Sequence, residues 1–89
     1  NNANLTGNDY DNVLTGNDGN NILMGGAGND TLEGGGGKDT AVFSGSRSEY
    51  IIKIHNGDSK VADNKPGRDG EDSLKNIEIL KFSDEVVEI

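Results

Sequence analysis

The sequence predicts an all-β chain in which very short parallel strands coil as a solenoid and an antiparallel β region caps one end. Three observations predict it. A nine-residue phrase repeats four times over residues 7–42, as GNDYDNVLT, GNDGNNILM, GGAGNDTLE and GGGGKDTAV, and an internal period decides architecture before any local propensity does. Each copy divides into six polar, Gly-rich residues and three residues with one apolar centre. The phrase then fails at Phe43, and the apolar residues it lacks are concentrated beyond that point.

Each element follows from these patterns. Three residues are too few for a helical turn to propagate, and a 3.6-residue apolar period is absent. A short strand alternates faces, so the central residue of each triplet points inward. Those residues are Leu5, Leu14, Leu23, Leu32 and Ala41. If each strand and loop make half a turn, the chain coils with an 18-residue period. Leu5, Leu23 and Ala41 then stack on one sheet, and Leu14 and Leu32 on the opposite one. The seventh-position residues Val13, Ile22, Thr31 and Thr40 face outward and form a row.

Beyond residue 42 the reading changes. Residues 49–54 and 60–63 are strand-like runs around His55-Asn56-Gly57-Asp58, and Asn-Gly between such runs signals a hairpin. Residues 64–73 (NKPGRDGEDS) read as a loop by composition and hold the only proline. Residues 77–82 and 86–89 read as further strands. Phe43, Tyr50, Ile52, Ile54, Leu74, Ile77, Ile79, Leu80 and Phe82 are the expected core of this half. The chain thus divides into a repeat region, 1–42, and a β-rich region, 43–89, that covers the open end of the solenoid, since exposed sheet ends invite aggregation.

Composition narrows the function. At 89 residues without cysteine, the chain buries a modest fraction of its surface and has no disulfide to help it, so a metal or a partner is expected to contribute. Mean hydropathy is -0.69, near the range of disordered chains. A formal charge of -8 points to cations as partners and away from nucleic acid and anionic membranes. No apolar run approaches the roughly 20 residues of a membrane-spanning helix. No amino-terminal signal peptide is visible, so export would need another route. Asn4, Leu5 and Thr6 match the end of a repeat, as expected of a piece of a longer array.

The loops carry the chemistry. Their glycines suit tight or left-handed backbone, which turns carbonyl oxygens toward a common point. The sixth position, Asn12, Asn21, Asp30 or Asp39, adds a short-reach side-chain oxygen. Carbonyls plus carboxylate are what Ca2+ takes, about six to eight oxygens at about 2.3–2.6 Å. One loop supplies too few, and two loops 18 residues apart supply enough. Loop one (7–12) pairs with loop three (25–30), and loop two (16–21) with loop four (34–39), giving at least two ions.

The phrase G-G-x-G-x-D-x-U-x resembles the calcium-binding nonapeptide of repeats-in-toxin (RTX) proteins. Residues 25–33 match it at every defined position, and residues 34–42 depart only at Ala41. The first two copies depart more: Asn8 and Asn17 stand for the second glycine, Tyr10 for the fourth, and Asn12 and Asn21 for the aspartate. The resemblance implies a right-handed parallel β-roll. It also implies ligands from the first, third and sixth positions of one loop and the second, fourth and sixth of its partner. Carried over, one site is Gly7, Asp9 and Asn12 with Gly26, Gly28 and Asp30. The other is Gly16, Asp18 and Asn21 with Gly35, Gly37 and Asp39. Main-chain carbonyls serve at the glycines and at Asp9 and Asp18, and neutral Asn12 and Asn21 make both sites weaker than an Asp–Asp pair. The tail, with DTAVFSG, Tyr50, VAD, GEDSLKNIE and FSD, resembles the segment that follows the last repeat in many secreted bacterial proteins.

Other readings are bland or fail. Asp63, Asp69, Asp72 and Asp84 read as solvated loop carboxylates, with an extra calcium site as the alternative, and Asp11 and His55 read as surface residues. An EF-hand from Asp9 lacks its twelfth-position Glu and its helices. GGGGKDT lacks the Ser or Thr after Lys38 and the first glycine of a phosphate loop. No nucleophile–base pair or His/Cys cluster appears, so the chain is not expected to be an enzyme, although its parent could be a protease, lipase, epimerase, toxin or adhesin.

The expected function is a secreted, extracellular bacterial module that folds on binding Ca2+, with the resemblance implying type I secretion. The repeat region holds six acidic residues against Lys38. Without metal it should be largely unfolded, so that binding free energy becomes folding free energy. The alternative is a module whose sheet face binds a polysaccharide, a cell surface or a partner domain. The few aromatic residues argue against a sugar-stacking platform.

Overall fold

The computed structural model describes residues 4–8, 10–55, 58–64 and 70–89, with backbone only at residue 55. Five three-residue strands punctuate the repeats: β1 (Asn4–Thr6), β2 (Val13–Thr15), β3 (Ile22–Met24), β4 (Thr31–Glu33) and β5 (Thr40–Val42). A 3-10 turn, Arg47–Glu49, precedes β6 (Tyr50–His55) and β7 (Asp58–Asp63). The chain ends with β8 (Glu71–Lys75), β9 (Ile79–Lys81) and β10 (Val86–Glu88). Among the described residues, all regular structure but that turn is β.

Successive repeat strands alternate between two sheets. One has the order β1-β3-β5-β9-β10 and the other β2-β4-β8-β7-β6. The repeat strands pair in parallel with an 18-residue offset, Leu5 against Leu23 and Leu23 against Ala41 in one sheet, Leu14 against Leu32 in the other. These are the stacks the half-turn argument requires. The outward residues pair the same way, Val13 with Thr31 and Ile22 with Thr40. The single expected row is therefore two rows on different sheets, because consecutive repeats never share a sheet.

The second half is only partly antiparallel. β6 and β7 form the expected hairpin, with His55 opposite Asp58, and β10 runs antiparallel to β9; the conformation of Asn56 and Gly57 lies outside the described residues. β8 and β9, however, join the repeat strands in parallel. Leu74 lies beside Leu32, and Leu80 beside Ala41. Residues 71–73, read from composition as loop, belong to β8. Numbering the phrase backward from Lys75 explains this: Gly70, Asp72 and Leu74 occupy the fourth, sixth and eighth positions of a repeat. The chain leaves the stack after β5, makes a hairpin, and returns in register.

One core serves both sheets. Leu23, Ala41 and Leu80 from the first and Leu32, Leu74, Val61 and Tyr50 from the second are buried together. Phe43, Tyr50 and Phe82 form a ring cluster with centroids 5.0–5.4 Å apart, and Tyr50 Oη accepts a hydrogen bond from Gly45 N. This cluster ties the hairpin to the stack. Ile54, expected in the core, is 57% exposed because it sits on the edge strand β6. Val61, which the sequence reading did not include, is fully buried. Among the described residues no helix is long and apolar enough to cross a membrane.

Candidate metal centres at the stacked loops

The loops stack along two edges, and each edge is held by a ladder of side-chain oxygens. On one edge Asn12 N donates to Asp30 Oδ1 (2.8 Å) and Asp30 N to Asp72 Oδ1 (2.9 Å). On the other, Asn21 N donates to Asp39 Oδ1 (2.7 Å) and Asp39 N to Glu78 Oε1 (2.7 Å). Every sixth-position residue thus passes its N–H to the carboxylate of the next loop on its own edge. Asp72 and Glu78 continue the two ladders beyond the four repeats. Asp72 is 2% exposed, which overturns its reading as a solvated loop carboxylate. Asp84 is exposed and accepts from Arg47 N (2.9 Å), and Asp63 lies half-buried on β7. Asp69 lies outside the described residues.

A second ladder comes from the fifth positions. Asp11 Oδ1 accepts from Asn29 N, Asn20 Oδ1 from Lys38 N, and Asn29 Oδ1 from Glu71 N. Asp11, expected to be a plain surface residue, is exposed yet tied to the next loop. The signal was present as a short oxygen-bearing side chain repeated at position five.

The degenerate and well-formed loops have different backbones. Gly26, Gly28, Gly35 and Gly37 take φ values of 75–87°. No described non-glycine residue but Asn76 has positive φ, so Asn8 and Asn17 keep ordinary backbone where their partners are left-handed. Instead Asn8 Oδ1 and Asn17 Oδ1 accept from the N–H groups two residues on, Tyr10 and Gly19. Left-handed second and fourth positions therefore occur in loops three and four, the two from which the resemblance draws second- and fourth-position ligands. Gly70, with φ 67°, repeats the feature at the returning strand.

First-position glycines mark where oxygens converge. A Cβ at Gly7 would fall against Asn12 Oδ1 and Gly25 O, and one at Gly16 against Asn21 Oδ1 and Gly34 O. A Cβ at Gly34 would fall against Asp39 Oδ2 and Asn76 O. A side-chain oxygen and a carbonyl of the loop above thus meet three times. Of the sequence-derived site residues, Asn12, Asn21, Asp30 and Asp39 are brought onto the ladders, and the glycines line the same loops. Asp18 is exposed in loop two, and Asp9 lies outside the described residues.

Asp39 is fully buried, and among the described residues its Oδ2 has no hydrogen-bond partner. Burial pushes its carboxyl above the usual 3.8, the nearby Glu78 charge adds to the shift, and the Asn21 N–H opposes it. A buried carboxylate oxygen without a hydrogen-bond donor is costly unless a cation offsets its charge. Among the described residues no three His, Cys, Asp or Glu side chains converge, so any ion would rest largely on carbonyls. That hard, mixed set of oxygens fits calcium.

Residues 6–41 match, in four copies, the family of the RTX calcium-binding nonapeptide repeat. This stretch is an array of RTX repeats. The family match stops before the returning strands, so Asp72 and Glu78 lie outside the RTX repeats as the family defines them. No curated protein matches the chain. Among solved structures it is similar to the extracellular lipase LipA from Serratia marcescens, at 19% identity and a TM-score of 0.49. That alignment covers 89% of this chain but 14% of the lipase.

Proposed function

We propose that this chain is a calcium-dependent folding module of a larger secreted bacterial protein. The observation that carries the reading is the buried Asp39 Oδ2, which has no hydrogen-bond partner among the described residues. Two ions would be held by Gly7, Asp9 and Asn12 with Gly26, Gly28 and Asp30, and by Gly16, Asp18 and Asn21 with Gly35, Gly37 and Asp39. Bound calcium supplies the positive charge that offsets these carboxylates. The residues themselves orient the loops through the N–H ladders and hold each strand in register over its neighbour. Because most of the ligands come together only in the stacked loops, binding free energy acts as folding free energy.

The two sheets are read as the walls of a right-handed β-roll, with 1–42 its repeat part and 43–89 the part that ends it. Support comes from the single shared core and from antiparallel β6, β7 and β10 at the far margins of both sheets. Extracellular calcium modules bind at about 10⁻⁴–10⁻³ M. Such a module would stay open in a low-calcium cytosol, pass through a type I secretion system and fold outside. Catalysis is assigned to the rest of the parent protein rather than to this chain. A calcium titration followed by far-UV circular dichroism tests the reading: strand signal should appear with calcium and vanish with chelator. A strand spectrum indifferent to chelator would sink it.

One observation favours a second reading, a module that binds an acidic polysaccharide or cell surface. On the outer face of β4, β8 and the hairpin, exposed Lys53, Lys60 and Lys75, with Asp58 opposite Lys75, line a cavity of about 530 Å³ together with Thr31 and Ser73. Lys53 and Lys60 are directly opposed across the hairpin, an arrangement that is unfavourable without an anion. Glycan binding that persists when Asp30 and Asp39 are replaced and the fold is kept would support this reading; no binding to acidic glycans in calcium would remove it.

A further inference from the structure

We propose that a further divalent-cation site lies between loop four (34–39) and the turn at residues 76–78, with Glu78 supplying a carboxylate that the four repeats do not contain. The inference rests on the calcium reading of the repeats and adds an ion to it.

The geometry repeats that of the two expected sites. In loops one and two the sixth-position oxygen and the first carbonyl of the next loop on that edge bracket the first glycine: Asn12 Oδ1 and Gly25 O at Gly7, Asn21 Oδ1 and Gly34 O at Gly16. At Gly34 the same two places are taken by Asp39 Oδ2 and Asn76 O. Asn76 reaches this position with φ 55°, alone among the described non-glycine residues, a conformation that asparagine tolerates better than most side chains. Glu78 then takes the ladder position, accepting from Asp39 N at 2.7 Å. Only three residues separate β8 from β9, against six between repeat strands, and a glutamate has one more methylene than an aspartate with which to reach the ladder.

Two features separate this place from an ordinary acidic cluster. Asp39 is fully buried, and its Oδ2, without a hydrogen-bond partner, reaches with Asn76 O the place that a Cβ on Gly34 would take. The charge count is also higher. Each expected site joins an Asn to an Asp at the sixth position, whereas this one joins two acidic residues, Asp39 and Glu78. Asp39 is buried and Glu78 half-buried, and two neighbouring carboxylates repel unless a cation intervenes. Since ligand charge count tunes calcium affinity, this site should fill before the other two. Asp39 would then bridge two ions, which couples the repeat array to the tail.

Calcium stoichiometry by equilibrium dialysis, with far-UV circular dichroism to confirm folding, tests the proposal on the full chain. The wild type should bind at least three ions. Glu78→Gln keeps an oxygen for Asp39 N–H, so it should fold in calcium, bind one ion fewer and raise the calcium midpoint of folding about tenfold. Glu71→Gln, exposed on β8, should match the wild type. Should Glu78→Gln stay unfolded, Glu78→Lys is the second variant: its ammonium would take the ion's place beside Asp39, and one ion should again be lost. An unchanged count in whichever variant folds overturns the proposal. A wild-type count of two overturns it while sparing the calcium reading of the repeats, and a count of zero overturns both.

Discussion

Asp39→Asn should move the stability of this chain in opposite directions with and without calcium. Asp39 Oδ1 accepts the Asn21 N–H at 2.7 Å, and an asparagine keeps that acceptor. Its Oδ2 has no hydrogen-bond partner, and it and Asn76 O both reach the place that a Cβ on Gly34 would take, so an amide NH2 would have an acceptor nearby. Without metal the substitution therefore removes a buried charge, relieves repulsion with Glu78 and adds a donor where one is missing, so the metal-free fold gains. With calcium the same change removes a ligand charge. At free calcium of 100 times Kd, one lost ion is worth about 2.7 kcal/mol. That is a large part of the roughly 5–15 kcal/mol that holds a small domain together. The assay is a pair of titrations followed by circular dichroism: urea unfolding in saturating calcium, and osmolyte-induced folding in chelator. The variant should unfold at lower urea in calcium and fold at lower osmolyte in chelator. If both midpoints move in the same direction, or neither moves, Asp39 is not poised between charge burial and metal binding.

Other expectations follow from the same geometry. Gly37→Ala should cost about 1–3 kcal/mol of calcium-loaded stability, because φ is 75° there and a Cβ would lie 2.6 Å from Gly19 O. Gly36→Ala, with no positive φ and its nearest contact at 3.3 Å from Asp18, should cost less, and urea midpoints compare the two. Leu74→Ala, 2% exposed and beside Leu32, should cost about 2–5 kcal/mol and raise the calcium midpoint of folding; folding of the repeats that ignores this change would show that β8 is not part of their stack. In chelator, the metal-free fold should gain stability from Asp39 as pH falls, since a carboxyl raised above 3.8 in the folded state takes up a proton on folding. That contribution is fully present below 3.8 and is lost as pH rises through the raised value. In calcium the slope should reverse, because protons compete with the metal for carboxylates. Osmolyte and urea midpoints across acid pH measure both signs.

The repeat half was legible because its information is local and periodic. A triplet of alternating residues can turn only one side chain inward, and a strict nine-residue step leaves the 18-residue stack as its simplest arrangement. Leu5, Leu14, Leu23, Leu32 and Ala41 follow without knowledge of the tail. The Asn-Gly hairpin was legible for the same reason, since residues 49–63 carry both strands and their turn. The sixth-position oxygens, too, could be named from spacing alone.

What the tertiary structure decided is where the tail goes. Residues 64–73 are rich in Gly, Asp and charge, and composition cannot distinguish a free loop from a loop seated on another. Gly70, Asp72 and Leu74 do carry the repeat's spacing, but a hairpin separates them from it, and only pairing with Asp30 N and Leu32 restores the phase. Glu78 has no such spacing at all. It becomes a ladder residue because β9 is placed beside β5, which brings the turn before β9 under Asp39 N–H. Periodicity encodes contacts between equivalent residues. Contacts between a repeat and a segment that departs from it depend on the path of the chain, and here that path puts a second carboxylate beside Asp39.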